Sequence, residues 1–180
     1  MTAYQIIYQE AIGNYGLFFA SQARKYGISN SAIVNLVNRG RLERLAHGVY
    51  RIDNFVPHPD GLDSYACAVA CCGEDAYLWG PSAVEIRELS PADPSRKYVA
   101  TPHRFRGKVP EGIVLRIRVQ NEEIGNYEGI RVQSVMQSIL SSQHIIMLDR
   151  LLDAVGIAEE RGLLDEAQAK TTIKELYKND

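Results

Sequence analysis

The side chains with the most recognition chemistry lie between positions 16 and 52, in the stretch GLFFASQARKYGISNSAIVNLVNRGRLERLAHGVYRI. Asn30 and Asn35 each carry an amide that offers a donor beside an acceptor. That pairing can read a base edge through two hydrogen bonds. Ser29 and Ser31 add hydroxyls to the same segment. Directly after it come Arg39, Arg41, Arg44, His47 and Arg51, a spacing of cations suited to phosphate oxygens. This is chemistry of recognition. It contains no nucleophile with a base beside it and no set of metal ligands.

The elements that must hold these groups follow from the pattern around them. A short helical pattern over residues 19–26 is broken at Gly27. Ser29 can cap a second helix, its hydroxyl accepting from backbone N–H groups of the first turn. In that helix Ile33, Leu36 and Val37 fall at i, i+3 and i+4, one apolar stripe, while Asn30, Ser31, Asn35, Asn38 and Arg39 occupy other faces. Gly40 ends it. Residues 41–52 read as two short strands around His47 and Gly48, where glycine tolerates the positive φ of a tight turn. A helix over residues 2–12, with Tyr4, Ile7, Tyr8 and Ala11 on one face, completes the group. Residues 13–16 read as the loop after it, and Phe18 and Phe19 are expected in the core or at the next helix start. Helix, turn, polar second helix and basic hairpin together make a winged helix-turn-helix. Such a helix fits the major groove, and the hairpin arginines would project toward phosphate or the minor groove, with Leu42 or Leu45 and Val49 anchoring the hairpin.

At these residues the sequence resembles a known family. The YGIS…LVNRGRLERLAHGVYRI block is similar to the N-terminal domain of the AbiEi-type antitoxins, transcriptional regulators of type IV toxin–antitoxin systems. The resemblance extends to AYLWGPSAV at 76–84, to YVATPHRFR at 98–106 and to GIRVQSVMQSIL at 129–140. There the family usually ends in an R-T-L-L-D-like run, whereas this chain has Gln137, Ser138, Ile139, Leu140 and Ser141, without the Arg and the Asp. What the resemblance implies is autoregulation of a toxin–antitoxin operon. It also implies a second domain that counters a nucleotidyltransferase toxin without requiring a stable complex.

Charge distribution agrees with a DNA-binding head. The whole chain carries −2, but residues 1–55 hold six basic side chains against three acidic ones. A basic head on an acidic remainder suits a DNA-binding domain joined to something else. The expected fold class is α+β, an N-terminal winged helix-turn-helix followed by a smaller mixed α/β domain. Its boundary is set at 55/56 by the linker NFVPHPDG. Cys67, Cys71 and Cys72 are an odd cluster on one helix. They read as core thiols in a reducing compartment rather than as a disulfide framework or a metal site. The start, MTAYQIIYQEA, lacks a basic n-region and an apolar run, and no stretch reaches a membrane span. The expectation is a cytoplasmic protein with no cofactor, no metal and no membrane contact.

Beyond the linker the pattern predicts a helix over 62–72 and a short strand at 76–79. Next come a helix from Pro81 over 82–87, a loop at 90–95 and a strand at 97–101. His103, Arg104, Arg106 and Lys108 then form a second basic cluster, read either as a solvated loop or as a further contact for nucleic acid or toxin. Residues 113–119 alternate as a strand with Arg116 and Arg118 on one face. Residues 122–128 read as a polar turn, 130–132 as a strand and 134–141 as a helix capped by Ser134. A helix over 145–158 follows, then a last helix capped by Asp165 that ends near Tyr177, and a frayed tail at 178–180. The lone Trp79 reads as core or as a partly exposed interface aromatic.

No nucleotide, metalloprotease or hydrolase motif is present. A nuclease site would want an acidic residue with Lys two positions on. Here Glu85 is followed by Arg87, and arginine does not shuttle protons. The expected function is therefore non-enzymatic. It is a repressor that binds double-stranded DNA at an operator, an inverted repeat upstream of its own operon, with a nucleotidyltransferase toxin as functional partner and self-association left open. Two alternatives stand beside it. One is a plain winged-helix transcription factor whose second domain dimerises or senses a ligand. The other is a DNA-targeting accessory protein of a nuclease or mobile-element system.

Overall fold

The computed structural model describes residues 1–91 and 95–178. The chain divides into two units, residues 1–71 and 72–180. The second is the larger, which corrects the expectation of a smaller C-terminal body. Most of the loop expected at 90–95 and the end of the tail at 178–180 lie outside the described residues.

In the first unit the order is α1 (Ala3–Ile12), β1 (Leu17–Phe19), α2 (Ala20–Ala23), a 3-10 turn (Arg24–Tyr26), α3 (Asn30–Asn38), β2 (Leu42–Ala46), β3 (Val49–Ile52) and α4 (Leu62–Cys72), whose final residue falls in the second unit. Helix α1 starts at a reciprocal cap. The Gln5 N–H donates to the Thr2 hydroxyl at 3.3 Å, and the Thr2 N–H donates to the Gln5 side chain at 2.8 Å. Such caps satisfy donors that the first turn leaves free. Gly27 takes φ +67 and lets the chain reverse between the 3-10 turn and α3. The three strands form an antiparallel sheet in the order β1-β3-β2.

Strand β1 corrects the sequence reading, which has no strand before the hairpin. Three residues are too few to show a period of two. The strand exists because Leu17, Phe18 and Phe19 pair with Arg51, Tyr50 and Val49. Phe18 is fully buried. Phe19 occupies the N-cap of α2, where its N–H donates to the Gln22 side chain at 3.0 Å. Both phenylalanines thus do what was expected of them. One core joins Ile7, Ala11, Phe18, Ala23, Ile28, Ile33, Leu42, Tyr50 and Ile52.

The second unit contains a mixed five-stranded sheet in the order β6-β5-β4-β8-β7. Its elements are β4 (Tyr77–Leu78), α5 (Gly80–Glu85), β5 (Lys97–Thr101), β6 (Ile113–Ile117), β7 (Ile124–Tyr127), β8 (Ile130–Gln133), α6 (Val135–Ser141), α7 (Leu148–Glu160) and α8 (Glu166–Lys178). A helical core of Val84, Leu89, Ile139, Leu151, Val155 and Leu176 joins α5 to α8. Trp79 is core, as expected. Its indole N–H donates to the Val99 carbonyl at 3.1 Å, and its ring meets Tyr98 edge-on at 5.4 Å.

Four details of this unit differ from the sequence reading. Residues 124–127 are strand β7, not turn, because they pair with β8 through a two-residue hairpin in which Glu128 and Gly129 both take positive φ. Strand β6 stops at Ile117, since Arg118 turns to φ +57, so Arg116 and Arg118 do not share a strand face. Ser134 holds the N-cap position of α6 without a side-chain cap bond. Helix α7 begins at Leu148, because Ile145 and Ile146 are held in a turn on the Ser142 carbonyl and Met147 is extended at ψ 145. The cap at Asp165 is as expected, its carboxylate accepting from the Gln168 N–H at 2.7 Å.

Gln133 ties sheet to helices from a fully buried position. Its side-chain oxygen accepts from the Gly80 N–H at 2.9 Å, and its amide nitrogen donates to Glu122 and, at 3.1 Å, to the Ser141 hydroxyl. Its carbonyl accepts from the buried Arg87 guanidinium at 2.8 Å, and Arg87 also donates to the Ala83 carbonyl at 2.8 Å. Burial pulls the Arg87 pKa down from its ordinary value. A buried donor deprived of its acceptor costs about 1–3 kcal/mol. Gln133→Ala should therefore lower the stability of this unit by roughly that amount, read as a fall in the denaturant midpoint at unchanged slope.

Candidate nucleic-acid interface

Helix α3 is held by one face. Ile33 is 2% exposed, and Leu36 and Val37 are half-buried against the same core. At 100° per residue this leaves Asn30, Ser31, Val34, Asn35 and Asn38 outside, and all five are exposed. Ser31, Val34, Asn35 and Asn38 form a single outward stripe at i, i+3, i+4 and i+7. Sequence reasoning placed Ser31, Asn35 and Asn38 off the apolar stripe, left Asn38 out of the contact set and missed Val34 altogether. The spacing of Val34 and Asn38 from Ser31 was the available signal.

Ser29 spends its hydroxyl locally. It accepts from the Ala32 N–H at 3.2 Å and lies 2.9 Å from the Ser31 hydroxyl. The N-cap role expected of it is therefore present. Arg39 forms the C-cap and is exposed.

The hairpin is anchored by Leu42 and Val49, both buried, with Leu45 half-buried. Strand β2 bulges between Arg44 and Ala46, and Gly48 makes the turn at φ +73. The expected row of free outward arginines is only partly present. Arg51 stands across the ladder from Glu43, and both its Nε and its terminal nitrogen donate to one carboxylate oxygen, at 3.2 and 2.7 Å. Arg41 lies 3.4 Å from Asp53, with its guanidinium 4.0 Å above the Tyr4 ring, and Tyr4 donates to the same carboxylate. The Tyr4 pKa is raised, first by burial and then by that hydrogen bond. Arg44 reaches only its own turn, at 3.4 Å to the Ala46 carbonyl and 3.5 Å to the His47 ring. Among the described residues Arg24, Lys25, Arg39 and Arg44 make no ion pair. The acids closest in sequence to the hairpin, Glu43 and Asp53, are each held on an arginine. The outer surface of this unit is thus locally cationic.

The second basic cluster is less free than its sequence implies. His103 sits 2.8 Å from Asp75, which also lies 4.0 Å from Arg131. Arg104, Arg106 and Lys108 are exposed on the loop, around a half-buried Phe105. Glu85 pairs with Lys97 at 3.7 Å. Among the described residues no three His, Cys, Asp or Glu side chains come close enough to hold a metal ion. No helix among them is long and apolar enough to cross a membrane.

This arrangement of two short helices, the second exposed and amide-rich, and a hairpin beside them coincides with a stretch that matches a known family. Residues 5–52 match the family described as transcriptional regulator, AbiEi antitoxin. The match runs from α1 to the end of β3, which makes this unit similar to regulators of toxin–antitoxin systems. The resemblance read from the sequence is borne out over those residues. The chain has no match among curated proteins.

The cysteines lie on α4, where Cys67 is half-buried and Cys71 and Cys72 are buried. A hydrogen bond from Cys71 to the sulfur of Cys67 is the main reason that the Cys67 thiol falls to about 7. Burial opposes the shift and the Arg51 cation assists it. Burial pushes Cys72 up to about 12. The thiolate reacts and the thiol does not, so reactivity rises as pH climbs through the pKa. Alkylation of Cys67 should thus be half-maximal near pH 7, well below an ordinary thiol, while Cys72 stays unmodified in the folded protein. Peptide mass spectrometry after timed iodoacetamide exposure across pH 5–9 reads this directly. Cys71→Ala should move the Cys67 profile upward.

Proposed function

We infer that the chain is a non-catalytic, DNA-binding transcriptional repressor of the winged helix-turn-helix type. It occupies an operator upstream of its own operon and belongs to a toxin–antitoxin pair whose toxin is a nucleotidyltransferase. One observation carries this reading. The exposed stripe of α3 and the unpaired cations at its end and on the adjacent hairpin lie within the segment that matches the regulator family. Order α1-β1-α2-α3-β2-β3, with a sheet order of β1-β3-β2, supports the winged form. DNA contact is assigned to residues 1–55. In detail, Asn30, Ser31 and Asn35 read base edges, Arg39, Arg44 and His47 face phosphate, and Ser29 sets the helix start. Arg41 and Arg51 act mainly by neutralising the acids beside them. Residues 56–180 carry the antitoxic activity, with the loop of Arg104, Arg106 and Lys108 as its contact surface. An operator with inverted half-sites would be met by two copies of the chain, in the cytoplasm.

The experiment is a footprint of the purified chain on the region upstream of its own gene. Protection of a short inverted repeat is expected, and protection no different from that on unrelated DNA would overturn the reading. On that operator Asn35→Ala should cost about 1–3 kcal/mol and relax discrimination at one base pair, as expected of a lost bidentate contact. Gel-shift titration against single-base operator variants measures both.

The hairpin gives a further test, because its arginines are not equivalent. Each phosphate neutralised contributes about 0.9 to the salt slope on duplex DNA. Arg44→Ala should weaken specific and non-specific binding alike and lower that slope by roughly one unit. Arg51→Ala should leave the slope nearly unchanged, since its charge is already held by Glu43. Affinity measured from low to moderate salt on both DNAs separates the two. Equal slopes for wild type and Arg44→Ala would remove the hairpin from the DNA.

A further inference from the structure

The outward stripe of α3 contains one residue that neither folding nor phosphate binding explains. Val34 is 52% exposed at the centre of that stripe, between Ser31, Asn35 and Asn38. The helix has met its packing requirement with Ile33, Leu36 and Val37 on the opposite face. No residue of α3 from Asn30 to Asn38 is charged. This combination is informative when set against the groups exposed in the major groove. Guanine is read best by arginine or lysine, which the helix lacks along its length. Adenine is read by the side-chain amide of asparagine through N6 and N7. Thymine alone presents an apolar group, its C5-methyl. The cations that would hold the helix against the duplex lie outside this stripe, Arg39 at the C-cap of α3 and Arg44 on strand β2.

We propose that α3 reads an A·T-containing step, with Val34 seated on a thymine 5-methyl and Asn35 or Asn38 on adenine. Valine suits the role. Its branched side chain has essentially one rotamer in a helix, so little freedom is lost when it is covered. Desolvating one methyl against another apolar surface is worth about 0.8 kcal/mol, near fourfold in affinity for each contact. The proposal rests on the DNA-binding reading above and adds to it the base that is chosen and the residue that chooses it.

The test compares two forms of the same upstream DNA, one amplified with thymidine triphosphate and one with deoxyuridine triphosphate, which removes every 5-methyl and keeps the pairing. The full-length chain is titrated against both. Wild type should bind the thymine form about fourfold tighter per contacted methyl. Val34→Ala should bind the thymine form more weakly and show little difference between the two. Val34→Thr, which keeps one methyl and the shape, should retain part of the difference. Equal binding of wild type to both forms would overturn the thymine contact and leave DNA binding intact. So would a Val34→Ala variant that keeps the whole difference, because the methyl would then act through the shape of the DNA. Binding to neither form would overturn the DNA-binding reading, and this proposal with it.

Discussion

The rotation of α3 about its own axis is the constraint on which the first unit depends. Ile33 is the pivot. It is buried in one core with Phe18, Ile7, Leu42 and Ile52, which brings α1, all three strands and α3 into a single cluster. Burying a side chain of this size contributes about 1.5–3 kcal/mol. A turn of one residue about the axis would put Ala32 or Val34 where Ile33 belongs. The core therefore decides which side chains face outward, and with them what the helix can recognise. The hairpin follows from the same core, since Leu42 and Val49 anchor its two strands and leave Arg44 and His47 at the free end.

A second constraint is electrostatic. Two of the three acids in residues 1–55 are paired with arginines, which leaves the surplus cations to set the sign of the exposed charge there. Glu43 is held by the arginine opposite it in the sheet, and Asp53 by Arg41 and Tyr4. Exposed pairs of this kind contribute little to stability, typically under about 1 kcal/mol. Their effect is on the field that an approaching polyanion meets. Two carboxylates are ion-paired, each with an arginine, so the net excess of residues 1–55 is unchanged and is carried by Arg24, Lys25, Arg39 and Arg44 against Glu10.

The second unit is organised by buried, hydrogen-bonded polar groups. Gln133 and Arg87 join β8 to α5 through carbonyl and amide partners, and Ser82 accepts from the Tyr98 N–H at 2.8 Å. Buried polar networks of this kind specify which elements meet, because each misplacement leaves a donor unpaired. They also account for Glu85 and Arg87, which resemble a broken nuclease pair in sequence. In the fold one is an ion-pair partner of Lys97 and the other a structural clamp.

By itself the sequence determined most helices, the hairpin and the resemblance to a regulator family. These depend on local signals: the apolar stripe at 33, 36 and 37, the caps at Ser29 and Asp165, and glycines at sites of positive φ. It also singled out Asn30, Asn35 and the arginines as candidates for recognition. Only the tertiary structure decided the rest. Strand β1 is three residues long and β7 four, with Gly125 and Asn126 at its centre, so neither shows a period; each exists because a neighbouring strand supplies its hydrogen bonds. Which arginines remain free was equally invisible, since Glu43 faces Arg51 only once the ladder sets its register. Val34 was overlooked because an apolar residue reads as core in a sequence. Its exposure follows only after Ile33 has claimed the interior, and the helical period then turns its neighbour toward solvent.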